Sequence, residues 1–104
     1  MSDETRDYEL VYIIQPELDE SSLEALQERI SQTISNQKGE IVKTENWGRR
    51  KLAYPIDNFF EGHYTVHWVQ MPPESVTPIE QSLRFSEDVI RFLTMKADNN
   101  ISGL

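Results

Sequence analysis

The chain has 104 residues, no cysteine and a formal charge of -8 at pH 7. That length suits one domain with a real core, and the missing thiols exclude disulfide frameworks, thiolate zinc sites and cysteine nucleophiles. An acidic total disfavours indiscriminate nucleic-acid binding, which draws on long-range attraction to phosphates; with no apolar run long enough for a signal peptide or a bilayer span, the sequence reads as cytoplasmic and free of membranes.

Residues 1–7 read as an acidic extension. "YELVYII" (8–14) is rich in aromatic and β-branched residues and ends at Gln15-Pro16, which predicts a first strand. From Asp19 the period changes: Leu23, Leu26, Ile30 and Ile34 recur at spacings of three and four, the stripe of a helix. Asp19 or Ser21 is placed to cap it, Ser21 with Glu24 forming a capping box, and Gly39 is expected at the C′ position that closes it. "EIVKTENW" (40–47) predicts a second strand that is able to continue past Gly48 into "RRKLAYPI". "DNFFEG" follows as a turn, then "HYTVHWVQM" (63–71) as a third strand. After "MPPES", Val76, Ile79 and Leu83 line a second helix, with Thr77-Pro78-Ile79-Glu80 as a capping box and a start at Ser75 as the alternative. "VIRFLTM" (89–95) is the fourth strand, the domain closes near Lys96, and 97–104 read as a flexible polar tail.

The predicted order β-α-β-β-α-β is the α+β, ferredoxin-like split βαβ: a four-stranded antiparallel sheet with two helices on one face. A sheet covered on one face only should alternate apolar and polar residues. Here both faces are apolar. The first strand offers Leu10, Tyr12 and Ile14 on one side and Val11 and Ile13 on the other; the third offers Val69 and Met71 against Tyr64, Val66 and Trp68. The uncovered face is therefore expected to meet a partner, with Tyr64, Val66 and Trp68 as its contact residues, and its aromatic rings are also suited to stacking on bases.

Charge is unevenly spread. Residues 1–40 hold ten acids against three bases, 41–56 hold one acid against four bases, and 57–104 hold seven acids against three bases. The basic segment contains Arg49, Arg50 and Lys51 in succession, followed by Tyr54. Guanidinium groups bind phosphate bidentately, an ammonium adds a point charge, and a tyrosine stacks or hydrogen-bonds to a ribose. At physiological ionic strength the Debye length is about 8 Å, so a phosphate touching this block is shielded from distant acids. Arg84, Arg91 and Lys96 are scattered further candidates. His63 and His67 lie four apart on a strand, roughly 13 Å, which is too far for two ligands of one metal ion; packing or hydrogen bonding is expected of both. The sequence holds no P-loop, nucleophile elbow or dinucleotide fingerprint, and Asn100-Ile101-Ser102 matches a glycosylation sequon only by chance in a cytoplasmic chain. No catalytic residue, metal or cofactor is expected.

The RNA recognition motif shares this element order, but its basic and central aromatic positions are Glu61 and Thr65 here, a poor match. Tyr8-Glu9, the run Gly48-Arg49-Arg50-Lys51-Leu52-Ala53-Tyr54-Pro55-Ile56, Gly62 with Tyr64, and Leu83-Arg84 before "VIRFLTMK" instead resemble the bacterial small ribosomal subunit protein six family, from Tyr8 to about Lys96. The resemblance implies a structural protein that binds 16S ribosomal RNA in the central domain, forming the platform, with ribosomal protein eighteen of the small subunit as partner and no small-molecule substrate. It assigns Arg49, Arg50, Lys51 and Tyr54 to RNA, with Arg84, Arg91 and Lys96 as helpers. Apart from the resemblance, the rival is a ferredoxin-like interaction or regulatory module without RNA affinity. A small acyl-phosphate hydrolase is more distant, since no glycine-rich loop offers a phosphate cradle.

Overall fold

A computed structural model describes residues 4–97. The elements are β1 (Arg6–Ile14), α1 (Glu20–Asn36), β2 (Glu40–Ile56), β3 (Phe59–Met71), a 3-10 turn (Pro73–Ser75), α2 (Val76–Phe85) and β4 (Val89–Lys96). The order is the expected β-α-β-β-α-β. All neighbouring strands are antiparallel, in the order β2-β3-β1-β4, and this is the split βαβ, ferredoxin-like fold. Its core forms where the α1 stripe (Leu26, Ile30, Ile34) and the α2 stripe (Ile79, Leu83) meet Tyr8, Leu10, Tyr12 and Ile14 of β1 and Val69 and Met71 of β3. Both helices therefore cover the same face of the sheet.

Element ends show which local signals prevail. Asp19 caps α1, its carboxylate accepting from the Ser22 backbone N–H at 2.8 Å; this contact holds the Asp19 pKa below its ordinary value. At the other end the left-handed residue is Lys38 (φ 68°), not Gly39. The N–H of Lys38 reaches the Ser35 carbonyl and that of Gly39 the Ile34 carbonyl, the paired bonds of a Schellman ending. Gly39 is needed for closeness instead: a Cβ there would lie 2.7 Å from Ile34 Cγ2. For α2 the earlier start prevails. The helix begins at Val76 after the 3-10 turn, and Thr77 makes no capping box because Ser75 already occupies the cap position. Ser75 makes no side-chain cap bond and its hydroxyl donates to the Gln37 carbonyl, which ties the start of α2 to the end of α1.

Strand lengths differ from the sequence reading. β1 starts at Arg6, paired with Met71, so residues 6 and 7 belong to the sheet. The turn between β2 and β3 is only Asp57-Asn58, both with positive φ (52° and 69°). Aspartate and asparagine tolerate that region better than other side chains, and a two-residue turn of this hand matches strand twist. Phe59–Gly62 consequently continue β3. Of the polar tail expected over 97–104, Ala97 donates its N–H to the Asp7 carbonyl at 2.8 Å; the remainder, with the sequon, lies outside the described residues. Among the described residues no helix is long and apolar enough to cross a membrane.

Candidate nucleic-acid interface

Ladder register assigns each side chain to a face. Tyr12, paired with Thr65, looks to the helices; Val11 and Ile13, paired with Val66 and Tyr64, look the other way. Along β2 this alternation is interrupted three times, at Val42, at Trp47 and between Lys51 and Ile56. Asn46 opposes Thr65 and Gly48 opposes Tyr64, so Trp47 is an extra residue without a partner. Gly48 makes the bulge possible with φ 79°, a conformation that only glycine adopts freely. The Trp47 ring then stacks on Tyr64, centroids 6.1 Å apart and planes 16° from parallel.

The bulge changes the phase of everything after it. Arg49 and Lys51 oppose His63 and Glu61 on the helix side, while Arg50 opposes Gly62 on the open side. Three consecutive cations thus do not form one patch. Arg49 is engaged within the fold: its Nη2 donates to the Pro16 carbonyl at 2.7 Å and its Nε lies 3.7 Å from Glu61. Arg50 lies over the Trp47 ring at 5.3 Å, with Nε donating to the Trp47 carbonyl, and the residue is exposed. Carboxylates nearby are occupied. Glu45 accepts from the Trp47 indole N–H and pairs with Lys43, and these contacts lower its pKa.

β1 pairs with β3 only as far as Ile14 and His63, whereas β2 and β3 continue to Ile56 and Phe59. The end of the hairpin therefore extends past the sheet as two strands whose ladder is broken at residues 52–55, which lie between the pairs Lys51–Glu61 and Ile56–Phe59. It returns to β4 through Tyr54, whose hydroxyl accepts from Arg91 Nη1 at 2.6 Å, with the Arg91 guanidinium 5.7 Å from the ring centroid. Arg50, Trp47, Tyr64, Tyr54 and Arg91 are brought together in this way. Two of the remaining candidates are not. Arg84 lies over Phe92, which packs against the core on the helix side. Lys96 opposes Tyr8, six residues along β1 from Ile14, roughly 20 Å from the hairpin end of the sheet.

The open face also carries the expected partner residues. Val66 is completely shielded (0% exposed), so Tyr64 and Trp68 make up what that segment of β3 presents, beside exposed Leu93 and Met95 of β4. Sequence reasoning passed over Phe60. Counting by twos from Gly62 places it on the open face, and it is 69% exposed.

On the opposite face lies a polar cleft between α1 and the β2–β3 ladder, lined by residues including Glu24, Gln27, Thr65 and His67. His67 is 2% exposed and bonded on both ring nitrogens, Nε2 to the Tyr12 hydroxyl at 2.9 Å and Nδ1 to the Thr44 hydroxyl at 2.8 Å. Burial pushes the imidazole pKa down to about 4 and the Tyr12 phenol up. Both effects disfavour charge, as desolvation must. Among the described residues every buried side-chain nitrogen and oxygen has a partner, and no group of three His, Asp or Glu is placed to hold a metal ion. His67 thus acts as a hydrogen-bonding residue of the core.

Comparison with known proteins agrees with the fold. Residues 7–96 match the family model described as ribosomal protein S6. The small ribosomal subunit protein bS6 of a Nitratiruptor species is 45% identical over 91 residues, 88% of this chain and 71% of that protein. The crystal structure of 30S ribosomal protein S6 from Thermotoga maritima superposes with a TM-score of 0.89 at 34% identity, covering 96% of this chain and 94% of that one. A complex of the P2 domain of the chemotaxis kinase CheA with the response regulator CheY, also from Thermotoga maritima, matches with a TM-score of 0.62 at 14% identity, a likeness of fold alone. With the family match spanning nearly all of the described domain, the chain belongs to the ribosomal protein S6 family, structural and non-enzymatic proteins of the small subunit of the bacterial cytoplasmic ribosome.

Proposed function

We propose that the chain binds 16S ribosomal RNA in the central domain of the small subunit, forming the platform, together with ribosomal protein eighteen of that subunit. The observation that carries this reading is the hairpin end of the sheet, where Arg50 and Arg91 are held against Trp47 and Tyr54 with their charge toward solvent. Arg50 and Arg91 take phosphates on the open face, Lys51 takes one from the other face of the hairpin, and the Tyr54 hydroxyl, already accepting from Arg91, takes a ribose or backbone oxygen. Arg49 contributes mainly by fixing the hairpin to the β1–α1 loop through Pro16. Arg84 and Lys96, away from this cluster, contribute long-range attraction at most.

The remainder of the open face, with Tyr64, Trp68, Leu93 and Met95, is the surface for the protein partner. A basic partner also resolves the acidity of the chain. It supplies phosphate attraction that a -8 chain lacks and is drawn to that negative charge, so each binding event strengthens the other.

The test is equilibrium binding of the chain, with its partner protein, to a 16S central-domain fragment over a range of KCl concentrations. Each phosphate contact adds about 0.7 to 0.9 to the slope of log K against log salt. Arg50→Ala with Lys51→Ala should lower that slope by roughly 1.5. An unchanged slope in the double variant removes the hairpin from the RNA site.

A further inference from the structure

Phosphate and hydroxyl contacts leave the ring faces of the hairpin without a role. Tyr54 is 57% and Phe60 69% exposed, and neither belongs to the buried core. Both stand at the same end of the open face: Phe60 by alternation from Gly62 and Tyr64, Tyr54 through its contact with Arg91, whose β1 partner Ile13 faces that side. Phe60 has no polar side-chain atom, so whatever it adds to a nucleic-acid site is contact with the face of a base. Cations flank the rings, Arg91 over Tyr54 at 5.7 Å and Arg50 opposite Gly62, two residues from Phe60. The carboxylate of Glu61 lies on the other face, paired with Arg49. Exposed rings interleaved with arginine are the pattern of a surface that stacks unpaired nucleotides, since a duplex hides its base faces and offers mainly backbone.

We propose that the rings of Tyr54 and Phe60 form a stacking platform for an unpaired RNA base, in a bulge or loop, whose adjoining phosphates are neutralised by Arg50 and Arg91. This rests on the RNA-binding reading above and specifies the kind of RNA. The two are separable because stacking is insensitive to salt and phosphate contact is not.

The experiment compares the full chain, in complex with its partner protein, as wild type, Phe60→Leu, Phe60→Trp, Tyr54→Phe, Tyr54→Leu and Arg50→Ala, on the central-domain fragment across KCl concentrations. Phe60→Leu and Tyr54→Leu are each expected to weaken binding roughly 5- to 100-fold with an unchanged salt slope. Phe60→Trp, which keeps an aromatic face, should stay close to wild type; Tyr54→Phe, which keeps the ring and loses the hydroxyl bonded to Arg91, should weaken binding less than Tyr54→Leu does, while Arg50→Ala lowers the slope. Because both side chains are largely exposed, thermal midpoints of the Leu variants should match wild type. Leu variants that bind RNA within twofold of wild type, while Arg50→Ala still lowers the slope, overturn the platform and leave the RNA reading intact. Leu variants that lose the protein partner but not the RNA overturn it too, by assigning the rings to the protein contact. Wild-type complex with no affinity for the fragment overturns both.

Discussion

Replacing His67 by glutamine should flatten the acid dependence of folding stability. The imidazole is 2% exposed, bonded to Tyr12 and Thr44, and its pKa is pushed by burial from the ordinary 6.5 to about 4. Above pH 6.5 the ring is neutral whether the chain is folded or not, and stability from this residue is complete. As pH falls through 6.5 the unfolded chain takes up a proton that the native state refuses. Stability then declines by up to ~1.4 kcal/mol per pH unit until the folded group titrates near pH 4. The loss amounts to about 2 kcal/mol at pH 5 and about 3 kcal/mol at pH 4 relative to pH 8, a large share of the 5 to 15 kcal/mol typical of a domain. Glutamine keeps a donor and an acceptor at similar reach and does not titrate. Glu24 and Glu28, which line the same cleft, are present in both proteins and cancel in the comparison. Urea unfolding of wild type and His67→Gln, from pH 8 to pH 4, should give curves that converge as pH falls. Parallel curves over that range would show that the buried imidazole does not resist protonation, and the desolvation account would be wrong.

Two glycines should respond differently to alanine. At Gly62 a Cβ would lie 2.3 Å from Ile13 Cγ2 and 3.2 Å from the Ile14 carbonyl oxygen, so Gly62→Ala should lower the unfolding free energy by roughly 2 to 3 kcal/mol, as overpacking does; a loss under 0.5 kcal/mol in urea titrations would show that β1 yields easily. At Gly48 a Cβ meets nothing within 4 Å but φ is 79°, so Gly48→Ala should cost about 1 to 2 kcal/mol from backbone strain alone. The same variant should also disturb the Trp47–Tyr64 stack, read as a change in tryptophan fluorescence, and an unaltered spectrum would separate the bulge from the placement of Trp47.

Much of this protein was legible in one dimension. The spacing of Leu26, Ile30 and Ile34 marks a helix stripe, the alternation of Leu10, Tyr12 and Ile14 marks a strand face, and both stripes meet in the core, because local backbone geometry repeats at 3.6 and 2 residues. The apolar second face was readable by the same alternation, and the family from the run around "WGRRKLAYPI". The arrangement of the candidate site was not readable, since it depends on register. Counting by twos from Asn46 assigns Arg50 to the helix side; the bulge at Trp47 turns it to the open face and sends Arg49 and Lys51 the other way. Likewise nothing in the chain order joins Tyr54 to Arg91, 37 residues apart, or commits Arg49 to the Pro16 carbonyl. Sequence determined which segments are strands and helices and which of their faces are apolar, because those follow from neighbours along the chain. Only the tertiary structure decided which cations and rings share a surface, because one left-handed glycine shifts the phase of a strand and the pairing of distant strands brings its residues to their partners.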